Sequence, residues 1–389
     1  MSLRRRVATA SILGAGMIVV ASCGSRTGLF GVDALPDGAA IDGSARDRND
    51  PDAPVKCTPG RFTFDLAIAQ LMFVVDRSGS MSFALDGTQP GGFGLPPGVL
   101  SRWEVLRDGL AKSITPYDTQ IAMGAKFYPE EGGSDPNDPD DGCRTDLGVA
   151  IAPAPGNARA ILDVFTTSTP IGGTPTSEAI RLAAQYITGT RGVARTMVVA
   201  TDGAPNCNGA LNPDTCTCTA RRPNGSPTCP SDQSGHNCLD DLRTIGVIRN
   251  IFDNQKIPVY VIGIGGSEQP AFIKALDDMA VAGGRAKPAS PKFYNVQTAT
   301  EMDDALASIS SSVAGCTYLT PSAPLDPNAI SVEIDGVAVP RDPTRQNGWD
   351  WVDQAYGTLA FFGSACDAAS KGVTGVTPKI GGVVRCESP

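Results

Sequence analysis

The alternation of apolar strands with amphipathic helices between residues 57 and 316 is the feature that most constrains the fold. Residues 67–76 (AIAQLMFVVD) are almost entirely apolar, as expected for a strand that is covered on both faces. Residues 102–114 then place Leu106 and Leu110 on one helical face. Further strands are predicted at residues 120–128, 146–152, 195–203, 257–265 and 292–296. Further helices are predicted at residues 157–167, 176–189, 241–254, 270–284 and 299–315. This order predicts an α/β fold, a doubly wound and mostly parallel sheet with helices on both faces.

Residues 1–22 have the character of an export signal. They carry three arginines at positions 4–6 and continue with a short apolar run, which is typical of a signal peptide rather than of a membrane span. The end of this segment, Val20-Ala21-Ser22 followed by Cys23, resembles the lipobox of bacterial lipoproteins. The resemblance implies cleavage before Cys23 and acylation of that cysteine. The alternative is an ordinary cleaved signal in which Cys23 has no role.

Residues 23–56 are rich in glycine, alanine, aspartate and proline, which predicts a flexible tether. Without the three arginines of residues 1–22, the formal charge of the chain falls from −9 to −12. Binding to nucleic acid needs clustered lysine and arginine, so this charge argues against it. We therefore expect an exported protein of the cell envelope, at the outer membrane or cell surface, that contacts a membrane only through an N-terminal lipid anchor.

Oxygen-bearing side chains follow strands of the predicted sheet at the edge where doubly wound folds bind ligands. Asp76, Ser78 and Ser80 occupy alternate positions at the end of the first long strand. Thr174 precedes a helix, and Asp202 directly follows another apolar strand. Each residue alone has an ordinary role available as a turn or helix-capping residue. Their joint occurrence predicts a site for a hard divalent cation, because such cations prefer oxygen ligands.

These five residues resemble the metal-ion-dependent adhesion site of von Willebrand factor A domains. In that family, Asp-x-Ser-x-Ser is completed by a distant threonine and a distant aspartate, and the resemblance covers about residues 60–316. It implies that the serines and the threonine bind Mg²⁺ (or Mn²⁺ or Ca²⁺) directly and that the aspartates do so directly or through water. It also implies an open coordination position for a carboxylate of a partner, and therefore a binding module rather than an enzyme.

Three long polar segments interrupt the predicted domain, at residues 82–101, 129–143 and 204–238. In the predicted topology all three project from the edge that carries the oxygen side chains, which predicts the rim of a recognition surface. The alternative is that they are surface loops without a role, since such loops are tolerated anywhere. The acidic residues 135–141 miss the spacing of a calcium-binding loop and are predicted to form a solvated turn.

The chain has eleven cysteines, which leaves ten if Cys23 carries a lipid. An even number in an exported chain predicts disulfides. The candidates are Cys57, Cys143, Cys207, Cys216, Cys218, Cys229, Cys238, Cys316, Cys366 and Cys386. The expected pairs are Cys143 with one of the five cysteines of residues 204–238, Cys57 with Cys316, and Cys366 with Cys386. A zinc site that includes His236 is a weaker alternative, because no paired CxxC spacing is present.

Residues 317–389 differ in character from the preceding domain of residues 57–316. Residues 330–339 alternate between apolar and polar side chains around Asp335-Gly336, a strong hairpin signal. Residues 349–352 and 357–363 predict further strands. We therefore expect a small β-rich C-terminal domain.

The motifs favour divalent-cation-dependent binding of a protein or surface ligand through an acidic side chain of the partner. Catalysis is not expected, because the single histidine lies in a cysteine-rich segment and no nucleophile has an evident base. Two alternatives stay open. One is an envelope hydrolase that uses the ion as a Lewis acid, and the other is a structural envelope protein whose ion only fastens loops.

Overall fold

The computed structural model describes residues 54–131, 141–187, 192–220, 227–229, 235–265, 270–370 and 378–386. The predicted signal peptide, nearly all of the predicted tether, Cys23 and most of the acidic residues 135–141 lie outside the described residues. No helix among the described residues is both long enough and apolar enough to cross a membrane.

Fourteen β-strands and seven α-helices lie in the described part of the chain. The strands are β1 (Gly60–Thr63), β2 (Asp65–Leu66), β3 (Ala69–Asp76), β4 (Ile121–Tyr128), β5 (Ile151–Ala154), β6 (Arg195–Thr201), β7 (Val259–Ile264), β8 (Tyr294–Val296), β9 (Thr317–Leu319), β10 (Ile330–Ile334), β11 (Val337–Val339), β12 (Gly348–Asp353), β13 (Thr358–Phe362) and β14 (Ile380–Val384). The helices are α1 (Arg102–Ile114), α2 (Ala158–Thr167), α3 (Thr176–Ile187), α4 (Asp241–Gln255), α5 (Pro270–Ala282), α6 (Ala299–Gly315) and α7 (Ser364–Ser370). Every strand and helix predicted between residues 67 and 315 is present, with ends that differ by a few residues.

Six strands form the main sheet, in the order β5-β4-β3-β6-β7-β8. Neighbouring strands are parallel except β5, which runs antiparallel to β4. Within this sheet the order corresponds to the 3-2-1-4-5-6 arrangement of doubly wound folds. The predicted fold class is therefore confirmed. Because the strand order reverses between β3 and β6, the loops that follow these two strands lie side by side at the edge where such folds bind ligands.

Alternate side chains of β3 pack against helices on opposite faces of the main sheet. Leu71, Phe73 and Val75 belong to the core shared with α1, α2 and α6, whereas Met72 and Val74 belong to the core shared with α3, α4 and α5. All five are at most 1% exposed. Burying one such side chain fully contributes about 1.5–3 kcal/mol. The apolar residues thus fix β3 in the sheet. Asp76, at its polar end, is therefore available to contact a ligand.

Two further antiparallel sheets, formed mainly by residues 317–384 and called here the C-terminal sheets, have the strand orders β1-β14-β10-β11 and β12-β13-β9-β2. β10 and β11 form the predicted hairpin. Its turn residues Asp335 and Gly336 have φ values of 51° and 79°, as a type I′ turn requires. Residues 60–66, which the sequence analysis placed in the domain of residues 57–316, supply β1 and β2 to these sheets.

All ten cysteines predicted to form disulfides are paired. The bonds are Cys57–Cys386, Cys143–Cys207, Cys216–Cys238, Cys218–Cys229 and Cys316–Cys366. The expected bond between Cys143 and the insertion of residues 204–238 is confirmed. Five disulfides indicate an oxidising compartment. They also leave none of these cysteines as a thiolate for the alternative zinc site with His236.

Two of the expected disulfides, Cys57–Cys316 and Cys366–Cys386, are wrong. Cys57 bonds to Cys386 because β1 and β14 are antiparallel neighbours, which brings the two ends of the described chain together. Cys316 directly follows α6, which packs against α7, the helix that carries Cys366. The Cys57–Cys386 bond joins residues that lie 329 positions apart in the sequence. A strand pairing of that range leaves no local signal in the sequence.

Candidate metal centre

Four of the five predicted metal ligands lie where β3 and β6 end, and these strands are neighbours in the main sheet. Asp76 is the last residue of β3, and Asp202 directly follows β6. Ser78 and Ser80 belong to the loop after β3, which continues as a short 3-10 helix at Gly79–Ser82. The topology of the sheet therefore brings together residues that are far apart in the sequence.

Short contacts connect these four residues. The Ser80 hydroxyl donates a hydrogen bond to Oδ1 of Asp202 at 2.9 Å, and Oγ of Ser78 lies 3.2 Å from Oγ of Ser80. Asp76 accepts hydrogen bonds from the backbone N–H of Ser78 at 2.8 Å and from the Thr201 hydroxyl at 2.5 Å. Asp76 is 0% and Asp202 is 6% exposed. The result is a compact group of buried oxygen atoms held in fixed orientations.

Thr174, the fifth predicted ligand, is buried in the loop of residues 168–175, called here the threonine loop, which contacts the loops after β3 and β6. The carbonyl of Gly172 in that loop accepts a hydrogen bond from the N–H of Gly79 at 3.0 Å. The N–H of Thr174 donates to Oδ1 of Asn206 at 2.7 Å, and its carbonyl accepts from the N–H of Asn206 at 3.0 Å. Among the described residues, no hydrogen bond joins the Thr174 hydroxyl to the other four ligands. The backbone contacts thus position the threonine loop beside the site.

Arg102 is a site residue that the sequence analysis missed. Its Nη1 lies 2.6 Å from Oδ2 of Asp202 in a buried ion pair, the whole side chain of Arg102 being 9% and that of Asp202 0% exposed. The same nitrogen lies 3.5 Å from the carbonyl oxygen of Ser80. Nε of Arg102 is buried, and no acceptor in the described part of the chain reaches it. Gly265 leaves room for the guanidinium, because a Cβ there would lie only 2.5 Å from Nε.

The start of α1 fixes the position of Arg102. Ser101 caps the helix, since its hydroxyl accepts a hydrogen bond from the N–H of Glu104 and its own N–H donates to the Glu104 carboxylate. This capping box is visible in the sequence as SRWE. A cation in the first turn of a helix is disfavoured by the helix dipole. An arginine in that place needs an acidic partner, and this is the signal that could have revealed Arg102.

Burial raises the pKa of both carboxyl groups. The pKa of Asp76 rises to about 7, mainly because its carboxylate is desolvated and also because Asp202 carries a like charge. Burial raises the pKa of Asp202 as well, although the Arg102 guanidinium acts in the opposite direction. Asp76 forms no ion pair with any residue that the structure describes. The Arg102 guanidinium pairs with Asp202, so Asp76 lacks a counter-charge among the described residues.

The residues fit a hard divalent cation. Two carboxylates and two hydroxyls provide only oxygen donors, which is the set that Mg²⁺ and Ca²⁺ prefer. A buried charge without a partner is costly, so Asp76 would gain from a cation beside it. The donor set and the missing counter-charge of Asp76 therefore both favour a divalent cation at this site.

The surrounding loops are linked to one another at the same edge of the sheet. The disulfide Cys143–Cys207 joins the loop after β4 to the insertion of residues 204–238. The N–H of Gly173 donates to the carbonyl of Gly142 at 2.8 Å. A Cβ at Gly173 would lie 2.7 Å from Sγ of Cys207, so the threonine loop packs directly on this disulfide. Two of the three polar insertions therefore border the candidate metal centre.

No protein-family model matches the chain, and no curated protein matches it. Solved structures similar to it include the PilB minor pilin of Streptococcus sanguinis, at 16% identity and a TM-score of 0.44, over 64% of this chain and 62% of that one. The open conformation of the pilus adhesin SpaC from Lactobacillus rhamnosus GG has 16% identity and a TM-score of 0.42, over 85% of this chain and 40% of that one. Manganese-loaded TRAP of Plasmodium vivax has 14% identity and a TM-score of 0.38, over 64% and 76%. The chain thus spans less than two thirds of the two pilus proteins. Likeness at this level transfers no function, which has to be argued from the site itself.

Proposed function

We propose that this chain is a divalent-cation-dependent binding module of adhesion type that binds a protein or surface ligand in the cell envelope. The observation that supports this most is the 2.9 Å hydrogen bond between Ser80 and Asp202. It unites the loops of two neighbouring strands around a group of buried oxygen atoms. The residues that would hold Mg²⁺, or Mn²⁺ or Ca²⁺, are Asp76, Ser78, Ser80, Thr174 and Asp202.

The bound cation would supply a positive charge with a coordination position open to an anionic group of the partner. Asp76 is oriented for this role by Thr201 and by the backbone of Ser78. Asp202 shares its carboxylate between Ser80 and Arg102, so part of its negative charge is already balanced. The serines are neutral. The protein ligands would thus leave attraction for a carboxylate of the partner, and the bordering loops would select which partner reaches it.

The two alternative functions have less support. A hydrolase needs a general base, and the imidazole of His236, the single histidine, packs against Gly209 within the cysteine-rich insertion. A purely structural cation would account for the buried carboxylates equally well. The structural alternative differs from adhesion in one measurable respect. With a purely structural cation, capture of a partner would not require an open coordination position.

We further propose that the chain is exported and anchored through a lipid on Cys23, at the outer membrane or cell surface. The five disulfides support export, since they form and persist in oxidising compartments. Mass spectrometry of the mature N-terminus tests the anchor. An unmodified N-terminus at any other residue would contradict it.

Thermal unfolding with Mg²⁺ or with a chelator tests the cation. A cation that binds only the folded state stabilises it by about 2.7 kcal/mol at a concentration one hundred times its Kd. Ser80→Ala should lose most of this stabilisation. Ser82→Ala is the matched control, because Ser82 lies in the same 3-10 turn but its hydroxyl donates to the carbonyl of Gly79. It should respond to Mg²⁺ as the wild type does.

Capture of a partner from envelope extract, with Mg²⁺ or with a chelator, tests the adhesion function. We expect capture by the wild type and by Ser82→Ala in Mg²⁺ only, and none by Ser80→Ala. Capture that survives chelation would contradict cation-bridged binding. A cation that stabilises the fold while capture is the same with and without it would favour the structural alternative.

A further inference from the structure

A polar cavity of about 370 Å³ lies at the end of the main sheet opposite the candidate metal centre. Its walls include Ala69 and Arg195, the first residues of β3 and β6, and Pro258 just before β7. Phe362 of β13 and Asp367 of α7 line the other side. The cavity is thus formed where the amino ends of the parallel strands meet the C-terminal sheets.

The lining of this cavity is basic, although the whole chain has a formal charge of −9. Among the residues that the structure describes, four cationic side chains contribute to it, Arg195, Lys256, Arg285 and Arg345, against a single carboxylate, that of Asp367. A concave surface lined by charges of one sign concentrates counter-ions. The charge of the lining therefore favours an anionic ligand.

Arg285 is held so that one of its donors has no acceptor. Its guanidinium carbon lies 5.4 Å from the ring centroid of Tyr260 and 5.7 Å from that of Phe362. Two aromatic contacts hold the group in place while leaving its N–H donors to other partners. Nε of Arg285 is buried, and no acceptor within hydrogen-bond distance exists among the residues that the structure describes. A buried donor in this state is costly. Arg285 lines the cavity, so a ligand oxygen that draws the guanidinium toward it would relieve this cost.

The other cations of the lining differ in how far their charge is already balanced. Arg345 pairs with Asp350 at 3.1 Å and donates to the carbonyl of Trp351 at 2.6 Å. Burial lowers the pKa of Arg195, because its guanidinium is desolvated. A ligand anion would stabilise that charge. Arg195 already donates to the carbonyl oxygens of Ile187 at 3.1 Å and Gln255 at 3.4 Å. Arg285 is therefore the residue that gains most from an anion in the cavity.

Hydroxyl groups accompany these cations. Ser308 and Ser312 of α6 line the cavity together with Ser311, and residues four apart lie on one face of a helix. Oη of Tyr260 lies 3.3 Å from Oγ of Ser312. Such hydroxyls can donate to the oxygens of an anion. The cavity thus combines cations, hydroxyl donors and aromatic walls, and such polar groups can fix the orientation of an anionic ligand.

We propose that this cavity binds a small molecule through an oxyanion, a phosphate or carboxylate group, with Arg285 as the main contact. Its volume lies near the lower end of the range for small-molecule sites, about 300–1,000 Å³. The site is independent of the metal centre, with which it shares no residue, and it gives the junction between the main sheet and the C-terminal sheets a binding role.

Calorimetric titration of the whole protein with inorganic phosphate, and separately with succinate, tests the proposal. A chelator is present throughout, so that the metal centre takes no part, and sodium chloride of equal ionic strength is the blank. We expect saturable binding of at least one anion. Arg285→Gln should weaken it about tenfold or more, as expected for the loss of a charge-assisted contact. Arg61→Gln, which removes an exposed arginine paired with Glu333 on the C-terminal sheets, is the control and should bind as the wild type does.

Each outcome decides the proposal. Binding of phosphate alone would identify a phosphate-bearing ligand, and binding of succinate alone a carboxylate-bearing one. No saturable binding of either anion, or equal affinities in Arg285→Gln and the wild type, would overturn the proposal. Where circular dichroism shows that Arg285→Gln is unfolded, Arg285→Lys replaces it. Lysine retains the charge but not the planar group, so weaker binding is again the expected result.

Discussion

Asp202 has two partners of different character, the hydroxyl of Ser80 and the guanidinium of Arg102. In the cation-free protein Arg102 balances a carboxylate that would otherwise be buried alone. The same guanidinium opposes the entry of a second positive charge at short range. Arg102 should therefore stabilise the cation-free protein and weaken cation binding at the same time.

Replacing Arg102 by glutamine separates these two effects. Breaking a buried ion pair should lower the free energy of unfolding in chelator by about 3–5 kcal/mol. The Kd for Mg²⁺ should fall about tenfold for each ~1.4 kcal/mol of repulsion removed. Chemical denaturation and calorimetric titration measure the two quantities. Arg107→Gln, on the same helix in a half-exposed pair with Asp108, should change neither. Unchanged or weaker Mg²⁺ binding in Arg102→Gln would show that the guanidinium does not oppose the cation.

The site shows how far residues could be predicted from the sequence. That Asp76, Ser78, Ser80 and Asp202 lie close together was predictable, because the first three form one short motif at the end of an apolar strand and Asp202 follows a second such strand. For Arg102 the sequence indicates only the need for an acidic partner and not which one, because Asp202 lies 100 residues further along the chain and meets it only through the sheet order. Local chemistry is visible in the sequence, whereas the balance of charge at a site depends on the fold.

The conformation of the loop between β11 and β12 depends on the carboxylate of Asp342. Asp342 accepts hydrogen bonds from the backbone N–H groups of Asn347 at 2.8 Å, Thr344 at 2.9 Å and Gln346 at 2.9 Å. Because these bonds favour the ionised form, with that from Asn347 contributing most, they lower the pKa of Asp342 to about 2.

A depressed pKa makes this loop sensitive to acid. The stability that the Asp342 carboxylate contributes is fully present above its ordinary pKa of 3.8 and is lost as the pH falls toward 2. Asp342→Asn should therefore reduce the loss of unfolding free energy between about pH 4 and 2. Urea denaturation across this range measures it. Asp253→Asn, at an exposed position of α4, serves as the control. Equal pH dependence in Asp342→Asn and the control would refute this role of the carboxylate.

Two of the disulfides should differ in what they support. The Cys143–Cys207 bond contacts the threonine loop at Gly173, whereas Cys57–Cys386 lies at the ends of β1 and β14. Replacing either pair by serines should lower the free energy of unfolding by about 2–5 kcal/mol. Only the loss of Cys143–Cys207 should also weaken Mg²⁺ binding, because of these two bonds only that one contacts the loop of Thr174, a proposed ligand. Calorimetric titration compares the two variants, and equal Mg²⁺ affinity would contradict the expected support.

On the scale of the whole molecule, the main sheet was predictable. The closure of the C-terminal sheets, in which β1 and β2 pair with strands from the far end of the chain, was not predictable. Strands such as β3 and β7 are continuous apolar runs, and the helices between them carry periodic apolar faces. In contrast, β1 is four residues long with alternating exposure, and its partner β14 is at the far end of the chain. Nothing within residues 60–66 indicates which strand completes their hydrogen bonds.

This closure predicts the behaviour of a truncated chain. A protein that ends at residue 316 keeps β1 and β2 but lacks the strands that pair with them, and it leaves Cys57 and Cys316 without partners. Unpaired strand edges promote aggregation. We expect this variant to aggregate or to unfold at a clearly lower temperature, whereas residues 54–389 should unfold in one transition. Size-exclusion chromatography and scanning calorimetry test this. A monomeric truncated protein of unchanged melting temperature would contradict it.

The disulfide between Cys57 and Cys386 has a mechanical consequence. β1 is an edge strand, so tension that enters the fold at residue 57 would ordinarily peel it away one hydrogen bond at a time. Cys386 follows β14, which is hydrogen-bonded to β1 on one side and β10 on the other. The disulfide therefore transmits the force to the interior strand β14 at the same time as it acts on the edge strand β1. Under a pulling force, β1, the first strand of the fold, can therefore detach only together with β14, the last.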